Sequence, residues 1–245
     1  VAREISSISR VGTSEPFELQ IARGQITYHS VRNIFGFNAS IGTSYRTPWE
    51  LANTNALPLI SPAAQLDVAS SDAGDTTQVV RLIGLDADYN IIAENISLNG
   101  TTTVTTTNSF KAINDFITLS GNCAGNVTAK ISTVVYAQIT AGTGRNQAAI
   151  FTVPAGYSFY LARIDAFSAT ATGASKYITF LNKNTFSDGR IFNVAETTFA
   201  QRMDIQRVLP FKVSEKTTLE FQAKVNSTTA EVGIFGEGYL VQETP

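Results

Sequence analysis

In "TLEFQAKV", Thr218 to Val225, apolar and polar side chains alternate residue by residue, with Leu219, Phe221, Ala223 and Val225 on one parity and Glu220, Gln222 and Lys224 on the other. A repeat of two is the geometry of a strand with one face packed and one wet. Short apolar runs bounded by Gly, Ser, Thr and Asn recur along the chain, and abundant Thr favours extended structure. Only "SYRTPWELANTN" carries a helix start signal, with Thr47 as N-cap, Pro48 at the first helical position and Glu50 in the first turn, and it predicts a turn or two. The expected fold class is all-β. With 43% apolar residues in 245, the chain can bury a sizeable core.

The patterning divides the chain into three regions. From Val1 to about Pro62 no period is sustained, and large side chains are scattered among polar ones. Residues 1–62 are therefore expected to form an N-terminal arm with little regular structure, lying across its own domains or a neighbouring subunit. Its expected interface anchors are Phe17, Tyr28, Phe35, Phe37 and Trp49. An ordinary loop-rich β segment is the alternative. Residues 63–136 are expected to form a first β-sandwich unit. In it "TQVVRLIGL" and "NIIAENISL" flank "DADYN" as a hairpin, with Ile92, Ile96 and Leu98 on one face and Asn95 and Ser97 on the other. "TVTTTNSFKAINDFITLSG" continues as strands, with Ile113, Ile117 and Leu119 on one side and Phe110, Ala112 and Phe116 on the other. "NVTAKISTVVYAQI" reads as a strand pair or one long strand, and the Gly-rich "TAGTGRNQ" separates it from the second unit. Residues 137–245 are expected to form that second, jelly-roll-like sandwich, whose last strand, "AEVGIFGEGYLVQE", has glycines that suggest a bulge or a close backbone approach.

The chemical inventory is thin. Asp86, Asp88 and Asn90 alternate as calcium-loop ligands do, but the Gly and Glu that such a loop needs at its sixth and twelfth places are Ile91 and Ser97. A turn whose Asp and Asn side chains bond neighbouring N–H groups accounts for the same residues. One histidine, His29, and one cysteine, Cys123, do not make a zinc set, and no nucleophile elbow accompanies His29. Asp165, Asp188, Glu196, Asp204 and Glu220 offer carboxylates, but their spacing singles out no pair. No cofactor, metal or catalytic residue is expected. Charged residues make up 16%, below the roughly 25% of ordinary domains, and the net charge of -2 gives no footprint for nucleic acid. No apolar run is long enough to cross a membrane as a helix.

Several phrases in fixed order, "AGDTTQVVRLIGLDADYNIIAENISLNGTTTVTTTNSFKAIN", "AGNVTAK", "IFTVPAGYSFYLAR" and "LPFKVSEKTTLEFQAKVNSTTAEVGIFGEGYLV", resemble a group of tailed-bacteriophage virion proteins. That group's plan joins a "GLDADYNE" hairpin, "TLNGTT", a "TVPAG" strand and late "LKVPEKSDIEIRAKA" strands. Here Ser214 stands where the plan has a proline, and the first sixty residues match loosely. The resemblance implies a non-enzymatic virion component, a capsid decoration (cement) or head-associated protein made in the host cytoplasm. The expected partners are its own copies in a homotrimer, the major capsid protein and other virion proteins. A neck, tail or baseplate component is a close variant. A carbohydrate-binding module for host glycans, stacking sugars on Tyr157, Tyr160, Tyr177 or Tyr239, is the reading from another class.

Overall fold

The computed structural model describes residues 15–51, 57–168 and 177–243. Residues 1–14 of the expected arm and 52–55 of the expected helical turn lie outside the described residues. The chain is nearly all β, with four antiparallel sheets of four strands each. A helix, α1 (Phe17–Ala22), precedes β1 (His29–Ile41). Next come β2 (Leu59–Ala64), β3 (Asp67–Ser70), β4 (Val79–Leu85), β5 (Ile91–Ser97), β6 (Val104–Thr105), β7 (Phe110–Ser120), β8 (Val127–Ile131) and β9 (Val134–Ile139). The last group is β10 (Ile150–Thr152), β11 (Tyr157–Phe167), β12 (Ile178–Thr185), β13 (Ile191–Phe199), β14 (Arg202–Val213), β15 (Thr218–Val225) and β16 (Ala230–Gln242).

Sheet I has the order β1-β16-β11-β14, and sheet II the order β10-β15-β12-β13. They enclose one core, in which Ile34, Phe159, Ile164 and Ile234 of sheet I meet Phe180, Leu219 and Phe221 of sheet II. We call this pair the main sandwich. Sheet III (β2-β7-β4-β5) and sheet IV (β6-β3-β8-β9) enclose a second core of Val68, Val80, Leu82, Ile96, Phe110, Phe116 and Val127. This second sandwich is an insert, because β1 ahead of it and β10–β16 behind it both belong to the main sandwich.

The expectation that residues 1–62 lack regular structure is thus corrected for 29–41, a thirteen-residue strand paired with the last strand of the chain from His29↔Val241 to Phe37↔Gly233. The segment after β1 then crosses to sheet II, where Arg46 and Ala223 exchange backbone bonds of 2.9 and 2.8 Å. Among the described residues no helix follows Thr47. Its hydroxyl donates to Glu220 at 3.0 Å instead, and Trp49, 1% exposed, fills the main core. The N-terminal residues therefore staple the two sheets of the main sandwich together.

The hairpin β4–β5 forms as the patterning predicts, and one side chain closes its turn. The Asp86 carboxylate accepts from the N–H groups of Asp88 (2.9 Å) and Asn90 (2.8 Å) and from the Asn90 amide (3.0 Å), while Tyr89 takes φ of 69°. In β7 a bulge beside Gly84 shifts the parity, so Ile113 joins Phe110, Ala112 and Phe116 inside while Leu119 faces out. β8 and β9 form a strand pair, with Ser132 in the left-handed region of the turn. In β15, Leu219, Phe221, Ala223 and Val225 point inward as expected, yet Glu220 is buried too. It sits beneath Thr47 and accepts from Lys183 (2.9 Å) and Gln222 (3.0 Å).

Polar contacts join the sandwiches. Arg32 of β1 pairs with Asp115 of β7, donates to the Asn114 carbonyl at 2.7 Å and lies 4.6 Å from the Phe151 ring centre. The Asn114 amide donates to the Thr152 carbonyl (2.8 Å) and accepts the Thr152 N–H (2.9 Å), imitating a strand neighbour. The Tyr89 carbonyl, turned outward by its left-handed backbone, accepts the Ala155 N–H at 2.9 Å. The "DADYN" turn of one sandwich thus rests on the "TVPAG" turn of the other. No helix among the described residues is long and apolar enough to cross a membrane.

Candidate interaction surface on sheet I

Sheet I packs one face on the core and leaves the other outside, and the register across it decides which side chains gather there. Val31, Tyr239, Tyr160 and Lys212 make one row, and Asn33, Glu237, Arg163 and Gln206 the next. Phe35, Phe235, Asp165 and Asp204 make the third row, and Phe37, Gly233, Phe167 and Arg202 the fourth. Phe35, Phe37 and Phe235 are half-buried, and Phe167 is exposed at its edge. The Phe167 ring lies so flat on Gly233 that a Cβ there would sit 2.2 Å from it. Gly233, Gly236 and Gly238 all mark close approaches, by Phe167, Phe221 and Tyr160 with Phe159 respectively, and no bulge interrupts β16 opposite them in β1.

Charged groups border these aromatics. Arg163 holds Asp204 with two bonds of 3.1 and 2.9 Å, and Arg202 holds Asp165 with two of 3.3 and 2.6 Å. The bonds from Arg163 keep the Asp204 carboxyl below the usual aspartate range. Asp165 and Asp204 are direct cross-strand partners, the nearest thing to a carboxylate dyad among the candidates, but each is neutralised by an arginine. Glu196 accepts the Tyr45 hydroxyl at 2.6 Å, and Asp188 pairs with Arg190. Each of the five candidate carboxylates therefore has a structural partner. Among the described residues no three His, Cys, Asp or Glu side chains gather as metal ligands would.

At one end of the face a groove of about 440 Å³ opens between α1, β1, β11, β14 and β16. Phe17 meets His29 and Tyr239 edge-on there, with ring centres 6.1 and 6.5 Å apart. His29 itself bonds the Thr27 carbonyl through Nδ1 at 2.9 Å. Beside them Lys212 bonds Glu243 at 2.9 Å and lies 5.7 Å from the Tyr160 ring centre. Bonds from Ser158 and Lys212 bring the Glu243 carboxyl down to about 2.

Of the five expected anchors, the structure brings Phe35 and Phe37 to the sheet I face and Phe17, 51% exposed, to the groove, and leaves Tyr28, 50% exposed, next to His29 at the start of β1. Trp49 does not belong with them, because it is core. Two features of the surface escape a reading of the residues alone. Phe167 and Phe235 reach it from strands more than sixty residues apart. Val208 and Leu209 stand on a bulge of β14, and Pro210, which cannot donate to a ladder, is the local sign of it.

No family model and no curated protein matches the chain. A solved structure titled as that of T=1 particles derived from infectious bursal virus is similar at 10% identity, over 88% of this chain and 78% of that one, with a TM-score of 0.14. A likeness that slight carries no argument about fold or function.

Proposed function

We propose that the chain is a non-enzymatic structural protein of a tailed-phage particle, a capsid decoration or head-associated protein that stabilises the particle through contacts between subunits. The observation that carries the reading is the outer face of sheet I, where Phe35, Phe37, Phe167 and Phe235 stand together, bordered by the mutually neutralised pairs Arg163–Asp204 and Arg202–Asp165. Aromatic side chains dominate interface energetics, and a contiguous set of them left outside marks a docking face. The fixed order of turn motifs supports the phage assignment, since "DADYN" and "TVPAG" touch through Tyr89 and Ala155 and so form one structural feature. In this reading the partners are other copies of the chain, as a homotrimer, and the major capsid protein. The chain works without a cofactor, and its place is the virion.

A neck, tail or baseplate position would use the same face. Glycan binding in the groove is less well supported, because Lys212 already lies over Tyr160 and Phe17 already meets Tyr239 edge-on. Quantitative mass spectrometry of purified particles of the encoding phage tests the reading. On the order of hundreds of copies are expected for a head protein and about a dozen or fewer for a tail protein, as symmetry requires. Absence from purified particles would overturn it.

A further inference from the structure

Between Gln206 and Phe211 strand β14 uses four residues where β11 uses one, Ala162, so Arg207–Pro210 is thrown out of the sheet as a bulge. Its tip is aliphatic: Val208 is 98% exposed and Leu209 82%. A solvated tip ordinarily carries Gly, Asn, Asp or Ser, which hydrogen-bond water or their own backbone. Here Pro210 fixes one flank of the tip, and Arg207, whose guanidinium lies 5.6 Å from the Phe211 ring centre, braces the other. The tip is held ready, so little ordering remains to be done on binding.

The groove adjoins it. Phe17, Tyr239, Ala162 and Val241 give the groove an apolar lining, and Glu18 and Arg207 bring opposite charges to it. Among the described residues neither Glu18 nor Arg207 is ion-paired, and the buried Nε of Arg207 has no acceptor. One surface therefore carries an exposed aliphatic projection whose Arg207, Val208 and Pro210 form one wall of an apolar hollow, with Glu18 also at that hollow's rim.

We propose that the bulge is a self-recognition element, in which Val208 and Leu209 of one copy enter the groove of a second copy and Arg207 meets the second copy's Glu18. The inference rests on the reading of the chain as a self-assembling structural protein and names the contact that would make it so. The occupant is the same chain because the aliphatic tip suits the apolar hollow and each copy offers both an Arg207 and a Glu18 without an ion partner among the described residues, as a symmetric assembly needs.

Sedimentation of the purified full chain, without particles, tests this separately from the virion reading. The wild type is expected at a multiple of its 26.3 kDa mass. Val208→Asp with Leu209→Asp should weaken association at least about a hundredfold while circular dichroism stays unchanged, since both side chains are solvated in the single chain. Arg207→Glu and Glu18→Arg should each weaken it about tenfold, and the double reversal should restore it to within about threefold. A monomeric wild type, or an oligomer indifferent to the tip substitutions, or a double reversal no better than the single ones, would each overturn the proposal.

Discussion

Replacing Arg32 by alanine tests how the insert is tied to the main sandwich. Arg32 and Asp115 have side chains only 20% and 13% exposed, so the pair is partly withdrawn from water. Its loss removes the ion pair, a charged hydrogen bond to the Asn114 carbonyl and the stacking over Phe151. A hydrogen bond from a charged group contributes about 1.5–3 kcal/mol and a partly desolvated cation–π contact about 1–2 kcal/mol. Arg145, 3.5 Å from Asp115, takes over part of the charge compensation and discounts the ion pair itself. We therefore expect a loss of about 3–4 kcal/mol, with a coupling of about 2 kcal/mol in the double-mutant cycle with Asp115→Ala. Urea unfolding reads it. The chain has one tryptophan, and it lies in the main core, so fluorescence follows the main sandwich while far-ultraviolet circular dichroism follows both. In the variant the two probes should separate, because the insert no longer shares the main sandwich's transition. Coincident transitions with a loss below about 1 kcal/mol would refute this account of the junction.

Other substitutions probe the same structure. Trp49→Ala should cost about 3–5 kcal/mol in chemical unfolding, and Phe17→Ala less than about 0.5 kcal/mol, which separates core from surface among the aromatics of the first fifty residues. Burial pushes the Asp75 carboxyl up, but bonds from the Ser70 hydroxyl and the Ala124 and Gly125 N–H groups outweigh it and hold the pKa below its ordinary 3.8. The stability it contributes is therefore complete above that value and is lost as pH falls through the depressed pKa. Asp75→Ala, which orphans two N–H groups, should cost about 2–4 kcal/mol at neutral pH and flatten the acid limb of the melting profile. Glu50 behaves oppositely: burial raises its carboxyl from 4.5 to about 7 against the pull of the Gln147 N–H and Arg145. The folded chain then binds a proton the unfolded chain has released, so stability should fall between about pH 4.5 and 7, by at most about 3 kcal/mol. Glu50→Gln should remove that slope in melting temperature against pH. Asn182, fully buried with no hydrogen bond to its amide, should give a more stable chain when replaced by leucine, by about 1 kcal/mol in urea unfolding.

Strands whose order is local were legible in the residues. The β4–β5 hairpin announces itself because its turn is closed by its own Asp86, and β15 because one face is continuously apolar. Strand β1 is hidden for a physical reason. Its inward positions are Arg32, Ile34, Gly36 and Asn38, while its aromatics, Phe35 and Phe37, face outward. Gly36 must lack a side chain, since a Cβ there would stand 2.3 Å from the Ala149 nitrogen and the Pro48 oxygen. The ordinary alternation is thus inverted, and the partner strand lies at the far end of the chain, where no local pattern can signal it. Burial of Glu220 was hidden similarly, because the lid over it, Thr47, comes from that same N-terminal segment. The candidate surface was half legible: scattered aromatics pointed to an interface, but only the register of sheet I sorts Phe35 and Phe37 from Trp49.

We propose that this chain serves a particle by docking through the outer face of sheet I. A cryo-electron-microscopy reconstruction of the intact phage tests it most directly. Density for the chain is expected on the particle, with Phe35, Phe37, Phe167 and Phe235 covered by a neighbouring subunit. A particle in which this face looks onto solvent, or which lacks the chain, would contradict it.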